Sequence, residues 1–470
     1  MQPLDRRQAL GTLAAGFVIP KLQLATTAQR ASPDELARKL IDAPRDRILT
    51  VVEPLASEGL TWRELLAAVF QAGILEIRPR PVGFKLHAVL VVESSFQLAE
   101  AGSEREAWLA ALWNLDDFKH SQARDVREGD WRLGAIPASE ASSSEVAARE
   151  LRAALDAWDA ERADRAVTAA ARTMATGELF ELLWPYCMRD FTNLGHKPIF
   201  CSHVARVLAR APGLDALPAL RSLVYGLLDG ERGGEVDASI EACAAVPAGW
   251  RAGRREPTRS LELARTLRPA TPAEARAAVV AALREGVDAS TVWDGLRLVA
   301  ADQFARRPEL LPVHPTTVTS AMHFIYRSSQ VESTRRLALM QAASWLPLFR
   351  SALRMSPDPG VFERWVKPSP VVPISLESVF RSPNRDRTRD FVQGLGGAPR
   401  FGEALRTHLL ERGAREHHQT KYAAAVLEDI QTLDRRWHGA VLASSLEYLP
   451  SGESERTRFA AESSEWVERR

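Results

Sequence analysis

Residues 144–174 read SEVAARELRAALDAWDAERADRAVTAAARTM, and apolar residues recur in this stretch at spacings of three and four. That spacing places them on one face of an α-helix, and Ala, Leu, Arg and Glu, which dominate the stretch, are strong helix formers. Residues 36–56 and 274–287 show the same pattern. The run LHAVLVV at 86–92 lacks the alternation of a half-buried strand, so we predict a helix there as well. The sequence therefore predicts an all-α protein.

Helix starts and loops are marked by short signals. Three sites place a capping hydroxyl three residues before a glutamate: Ser32 with Glu35, Thr61 with Glu64, and Thr271 with Glu274. Segments rich in proline, glycine, serine and charged residues predict loops or linkers at 128–145, 247–260 and 356–390. The last of these is long enough to form a wall over a pocket.

A histidine opens a predicted helix at intervals of about 110 residues. We call this set the four spaced histidines: His87, His196, His314 and His418. Each follows an amphipathic helix and a loop, and each is followed by another apolar helix. We interpret this pattern as four degenerate repeats of about four helices within one all-α domain over residues 31–470. The repeat units are roughly 40–135, 145–245, 270–355 and 385–455.

Repeat architecture bears directly on where the histidines lie. Equivalent positions in stacked helical repeats line one shared surface. If the repeats close into a bundle, the four spaced histidines converge. If they form an open α/α solenoid, the histidines line a groove.

Composition excludes several classes of protein. Lysine and arginine (61) nearly balance aspartate and glutamate (60), and no basic run is interleaved with aromatic residues, so we expect no nucleic-acid partner. The glycines of QGLGGAPRFG at 393–402 do not match the dinucleotide fingerprint, and GxSxG and P-loop motifs are missing. Cys187, Cys201 and Cys243 are too few and too widely spaced for a zinc ribbon or a disulfide framework.

The N-terminus resembles an export signal. Arg6 and Arg7 precede the apolar run ALGTLAAGFVIP, and small residues follow at 25–28. We interpret residues 1–30 as a twin-arginine-type signal that directs the chain to a bacterial periplasm. The motif DRRQALG lacks the usual Ser or Thr before the arginines and the Phe after them, so a cytoplasmic N-terminal tail is the alternative. Since no later segment reaches the roughly 18 apolar residues of a transmembrane helix, we expect no membrane span.

The four spaced histidines suit two kinds of chemistry. Imidazoles can hold a transition metal through one nitrogen while the other nitrogen is oriented by a carbonyl or carboxylate. They can equally serve as acid, base and hydrogen-bond donor toward a bound carbonyl or phenol. HExxH and similar compact ligand motifs are missing, so the spacing leaves both possibilities open.

Further polar residues accompany the histidines. Lys197 follows His196 directly, and Lys421 lies one helical turn after His418. Either lysine could stabilise an oxyanion or hold a substrate phenolate, or could simply be a surface charge at a helix end. Asp116 could orient His87 or act as a ligand, with a solvated helix face as the alternative. His203 and His323 lie deeper on the same helices as His196 and His314, and we expect them to be satisfied wall histidines.

Short motifs resemble the questin oxidase-like family. They are HAVL at 87–90, GHKPI at 195–199 with LRSLVY at 220–225, VHPTTVTSAMH at 313–323, and HxxKY at 418–422. The resemblance spans roughly residues 60–440 and matches the four spaced histidines and Lys421. It implies a helical protein that catalyses Baeyer-Villiger-type oxygenation of polyketide-derived aromatic ketones with NADPH.

The sequence also departs from this family. The second family motif usually carries two histidines around Pro-Leu-Ile, where this chain has His196-Lys197-Pro198-Ile199. An export signal also conflicts with NADPH, which is not normally supplied outside the cytoplasm. We therefore expect a distant relative with a changed substrate.

Two functional hypotheses follow. The first is an exported oxidoreductase-like enzyme whose central His/Lys pocket, with or without a transition metal, acts on an aromatic or carbonyl-bearing small molecule. The second is a secreted α-solenoid that binds a partner without catalysis. The enzyme requires at least three of the four spaced histidines around one enclosed cavity, whereas a scaffold would leave them along an open groove or buried singly.

Overall fold

A computed structural model of the chain describes residues 32–137, 143–231, 235–358, 399–449 and 457–470, together with parts of the segment 363–392. Within these ranges the regular structure is helical, and the only β-type pairing is an isolated bridge between Arg254 and Val287. The all-α prediction is confirmed. Residues Pro33–Arg470 form one compact unit. The export-signal prediction for residues 1–30 lies outside the described residues.

The first half of the unit contains ten α-helices among the described residues. They are α1 (Pro33–Asp42), α2 (Ile48–Ser57), α3 (Trp62–Glu76), α4 (His87–Glu100), α5 (Glu104–Arg127), α6 (Ser144–Asp156), α7 (Ala160–Thr173), α8 (Thr176–Cys187), α9 (Thr192–Arg210) and α10 (Ala216–Leu227).

The second half continues in the same way. Its helices are α11 (Glu235–Ala244), α12 (Pro257–Leu267), α13 (Pro272–Arg284), α14 (Ala289–Arg306), α15 (Val313–Ser328), α16 (Glu332–Ala352), α17 (Leu376–Arg381), α18 (Pro399–Arg412), α19 (His417–Thr432), α20 (Arg435–Ser445) and α21 (Arg458–Arg469). Short 3₁₀ helices lie at Arg45–Arg47, Phe84–Leu86 and Leu446–Tyr448. Among the described helices, none is long and apolar enough to cross a membrane.

Four helices form the centre of the fold, and we call them the inner ring: α4, α9, α15 and α19. Their contacts run in a closed circuit, with α4 on α9, α9 on α15, α15 on α19, and α19 on α4. Helices α4 and α15 are buried along nearly their whole length, as expected for helices surrounded by protein.

Each inner helix also packs against the helices on either side of it in the chain. Helix α4 lies against α3 and α5, and α9 lies against α8 and α10. In the same way α15 lies against α14 and α16, and α19 lies against α18 and α20. This common arrangement is compatible with four repeats, although the repeat units themselves stay a prediction.

The capping signals position several of these helices. Thr61 and Glu64 form a capping box at α3, and Thr271 and Glu274 form one at α13, as predicted. The run 86–92 is helical and belongs to α4. The first residues of α9 are not regular helix. Gly195, the last of them, has the left-handed φ of +72 and lies against the Trp345 indole.

We expect Gly195→Ala to destabilise the protein by about 1–3 kcal/mol, from left-handed backbone strain and overpacking together. A Cβ at Gly195 would lie 2.9 Å from Trp345 Cζ3. The free energy of unfolding in urea measures this loss. Two alanine substitutions serve as controls: Gly249, with φ +70 in open space, isolates the left-handed strain, and Gly213 meets nothing within 4 Å. Equal unfolding midpoints for the Gly195 and Gly213 variants would contradict the expected clash.

Candidate metal centre

The four spaced histidines meet at one end of the inner ring. His87 opens α4, His314 and His418 are the second residues of α15 and α19, and His196 begins the right-handed turns of α9. All four are buried. One ring nitrogen from each histidine lies within 4.8 Å of the corresponding nitrogen of every other. Imidazoles from four parts of the chain therefore share one buried centre.

The closest approaches join nitrogens of the same kind. His196 Nε2 lies 3.0 Å from His87 Nε2 and 3.1 Å from His314 Nε2. His418 Nε2 is buried and has no hydrogen-bond partner among the described residues. In His87, His196 and His314 the Nε2 atoms therefore point inward, and the Nδ1 atoms point to the surrounding backbone.

Backbone carbonyls fix the proton on three of the rings. His87 Nδ1 donates to Phe84 O at 2.8 Å, and His314 Nδ1 donates to Leu311 O at 2.7 Å. His196 Nδ1 donates in the same way to Asn193 O. A carbonyl oxygen can only accept, so the proton must be on Nδ1, and in a neutral imidazole Nε2 then carries a lone pair. Each acceptor lies three residues before its histidine, in the turn that leads into the helix.

His418 also carries its proton on Nδ1, but the acceptor is a side chain. Its Nδ1 lies 2.6 Å from Glu416 Oε2, and a carboxylate oxygen accepts this proton. Four Nε2 lone pairs therefore face one another. Lone pairs at about 3 Å repel unless a proton or a cation lies between them.

Electrostatics disfavours a proton on any of the Nε2 atoms. Burial lowers the pKa of all four spaced histidines, with neighbouring rings and Lys421 adding to the effect, and the pKa of His314 falls to about 3. A transition-metal cation resolves the repulsion, because metal–imidazole bonds of about 2.0–2.1 Å bring ligand nitrogens to roughly 3–4 Å from one another. Neutral imidazoles suit zinc, copper, iron and nickel. The donor set fits such an ion.

Unusual backbone conformations let the rings pack this closely. Asn193 and Leu194 have φ +51 and +55, a region that few residues other than glycine adopt, and they turn the chain just before His196. Gly83 has φ +107, and a Cβ there would lie 3.2 Å from the His196 ring. The turns before α4 and α9 are thus shaped around the centre.

Lys421 is the lysine that the structure brings to the centre. Its Nζ lies 3.2 Å from His87 Nε2, and the residue is 1% exposed. Burial lowers the pKa of Lys421 to about 7, so a large fraction of the amine is uncharged at neutral pH. An uncharged amine can donate a lone pair or accept a proton at this position.

Lys197 does not face the centre, so neither stabilising an oxyanion there nor lying as a surface charge at a helix end describes this residue. Its Nζ donates to Asp190 Oδ2 at 2.7 Å and to Asp229 O, and the ion-paired side chains are 1% and 2% exposed. Successive helical residues point about 100° apart, so the neighbour of an inward His196 points elsewhere. Lys197 is a buried structural charge.

Asp116 does not orient His87, and that prediction is also wrong. Both of its oxygens accept hydrogen bonds from the Arg45 guanidinium, at 2.7 and 2.8 Å. It lines an open cleft of about 650 Å³ that also includes His120 and Glu416. The Phe84 carbonyl, and not Asp116, accepts the Nδ1 proton of His87 and so orients its ring.

Two residues of the centre were missed from the sequence. Glu416 holds His418, and the His417 ring stacks on the His87 ring with centroids 4.2 Å apart. The signal was the triplet Glu416-His417-His418 at a predicted helix start, where a carboxylate precedes two imidazoles.

His203 and His323 lie deeper in the inner ring. His203 Nδ1 donates to Leu90 O at 2.6 Å, and His323 Nδ1 lies 2.6 Å from the Arg297 guanidinium. Both have partners outside the centre, in agreement with their predicted place in the wall.

The fold and the centre together define a class: an all-α protein whose closed inner ring carries four convergent imidazoles. Comparisons with protein-family models, with curated proteins and with solved structures found no match. The resemblance to the questin oxidase-like family therefore stays a prediction.

The depressed histidine pKa values set the pH dependence of the metal-free protein. An unfolded histidine titrates near 6.5, whereas the folded ones stay neutral below that pH. The unfolded chain then binds protons that the folded chain does not, so stability falls as pH drops below about 6.5. The loss is at most about 1.4 kcal/mol per pH unit for each histidine. We expect His314→Gln to reduce this slope.

Urea unfolding with a chelator at pH 7.5 and pH 5 measures the slope for the wild type and for His314→Gln. The pKa of His314 near 3 places both measurements above its folded-state titration. Identical slopes for the two proteins would show that His314 is not held neutral.

Proposed function

We propose that this protein is a metal-dependent enzyme of the oxidoreductase type, in which the four spaced histidines hold one first-row transition-metal ion. The observation that carries the proposal is the convergence of four buried imidazoles, with one ring nitrogen of each within 4.8 Å of the others and the Nδ1 protons held by neighbouring acceptors. Such an arrangement is unfavourable without a cation and favourable with one.

The donor set bears on which metal would support catalysis. Zinc with four protein ligands is typically tetrahedral and closed, as in structural sites. Iron or copper can take further ligands beyond four nitrogens and would leave a position for substrate or oxidant. A bound redox metal would supply electron transfer, so the identity of the ion separates an oxidoreductase from a structural zinc site.

The residues of the chain supply proton handling beside the metal. Lys421 Nζ lies 3.2 Å from His87 Nε2 in a fully buried position. A cation in the centre favours the uncharged amine further, because two positive charges so close together repel. Lys421 would then take the proton from a substrate hydroxyl or phenol and hold the resulting anion near the metal.

The substrate class comes from the sequence resemblance. An aromatic or carbonyl-bearing small molecule is the substrate that the family motifs imply, and NADPH belongs to the same inference. Export through a twin-arginine route is part of the proposal as well. That route carries folded proteins, so a buried ion would be inserted before export.

The alternative is a secreted scaffold without catalysis. A scaffold would display its histidines along an open groove or bury each one separately. The closed circuit of α4, α9, α15 and α19 and the shared centre favour the enzyme over an open groove or separate burial, and the enclosed cavity that the enzyme also requires stays a prediction. A stoichiometric zinc ion with no redox metal would instead favour a structural role.

Elemental analysis tests the proposal directly. We expect the purified full-length protein to contain a stoichiometric iron or copper ion, and His314→Gln to reduce this to a trace. His323→Gln is the matched control: His323 lies on the same helix, is also buried, and contacts Arg297 instead of the centre. The control should keep the ion.

Two results would contradict the proposal. A wild-type protein that contains no metal after expression in metal-supplemented medium, and that binds none when titrated, would remove the centre. Wild-type metal content in the folded His314→Gln variant would show that the four spaced histidines do not hold the ion.

A further inference from the structure

His418 differs chemically from the other three spaced histidines. Neutral backbone carbonyls accept the Nδ1 protons of His87, His196 and His314, whereas the carboxylate of Glu416 accepts that of His418 at 2.6 Å. A carboxylate draws the shared proton toward itself more strongly than a carbonyl does. It thereby raises the electron density on the opposite ring nitrogen. His418 Nε2 is consequently the strongest donor of the four.

Glu416 is itself held in place from several sides. Its Oε2 accepts from His418 Nδ1 and also, at 3.2 Å, from the His418 backbone N–H, which caps the start of α19. Its Oε1 accepts from the Tyr448 hydroxyl at 2.7 Å. Both carboxylate oxygens are therefore committed, and the carboxylate cannot rotate away from His418 without breaking other hydrogen bonds.

A second ion bound by Glu416, His417 and His418 explains this geometry less well. One ligand atom from each of these residues lies within 4.8 Å of the others. A hydrogen bond of 2.6 Å from His418 Nδ1 requires a proton on that nitrogen, and a protonated nitrogen cannot also bind a metal. The arrangement is that of one ligand and its orienting carboxylate.

We propose that Glu416 is a positioning residue that fixes the tautomer of His418, strengthens it as a ligand and offsets part of the charge of the ion. The inference rests on the proposed metal centre. Four neutral imidazoles leave the full charge of a dication inside the protein, and burying an unpaired charge is costly. The charge of Glu416, one imidazole ring away, lowers that cost.

The location of Glu416 supports its role as a positioning residue. Glu416 lines the cleft of about 650 Å³ that also contains Trp113, Asp116 and Arg415. Its side chain is 30% exposed, whereas that of His418 is 5% exposed. Glu416 therefore lies between the buried centre and the cleft.

Cobalt binding to the metal-free full-length protein tests this role. Glu416→Gln keeps an oxygen that can accept the Nδ1 proton but loses the charge, whereas Glu416→Ala loses both. Substitution of a residue that orients a metal ligand typically weakens metal binding about 10–100-fold. We expect the Gln variant near the lower end of this range and the Ala variant near the upper end. The visible absorption bands of bound Co²⁺ should shift in both variants.

Asp116→Asn is the matched control, because Asp116 lines the same cleft and contacts Arg45 but none of the four spaced histidines. It should bind Co²⁺ with wild-type affinity and spectrum. If Glu416→Ala fails to fold, the near-isosteric Gln variant carries the test. If both Glu416→Gln and Glu416→Ala bound Co²⁺ with wild-type affinity and an unshifted spectrum, the positioning role would be wrong and Glu416 would serve only as a helix cap. Absence of Co²⁺ binding by the wild type would overturn the metal centre itself, and the role of Glu416 with it.

Discussion

The structure of the centre depends on the hydrogen bond from a histidine Nδ1 to an acceptor just ahead of its own helix. For His87, His196 and His314 the acceptor is the carbonyl three residues earlier, and for His418 it is the Glu416 side chain. This bond fixes the tautomer, the ring orientation and the direction of the Nε2 lone pair at once. It operates only where a turn meets a helix start. All four helices of the inner ring must therefore begin at the same level, and the turns before α4 and α9 take backbone conformations that favour glycine.

Below the centre, the inner ring is filled with ion pairs in place of a purely apolar core. Arg206 bridges Glu93 and Glu428, and Arg297 pairs with Asp429 at 3.0 Å. Burial acts to raise the pKa of Glu93, but Arg206, His203 and Arg210 outweigh it and hold that pKa at about 2. Removal of one partner from such a pair leaves an uncompensated buried charge, so sliding a helix along the ring is costly. The ion pairs of Arg206 fix the heights of α4, α9 and α19 relative to one another, on which the convergence of their histidines depends.

The sequence predicted the helices, and it predicted convergence of the histidines for a closed bundle but not for an open solenoid; it did not predict the finer geometry. Apolar periodicity is a local property, so α4 and the capped starts of α3 and α13 were predictable, and the regular spacing of the histidines pointed to a common centre. The direction of a side chain depends on the rotation of its helix, which is set by packing against distant segments. Lys197 points to Asp190 and Asp229 for this reason. Arg45, which lies 71 residues away in the chain, forms an ion pair with the carboxylate of Asp116 and holds it away from His87. Glu416 could have been recognised from its position beside two histidines at a helix start.

The partners in the centre are far apart along the chain, since Lys421 and His87 are separated by 334 residues. During synthesis, His87 leaves the ribosome long before α19 exists, and the ring cannot close until the last inner helix has been made. The proposed ion, which needs all four imidazoles, would be captured only by a nearly complete chain. Metal insertion would thus act as a late checkpoint on biosynthesis: a truncated product would lack the final ligand and remain both unloaded and less stable.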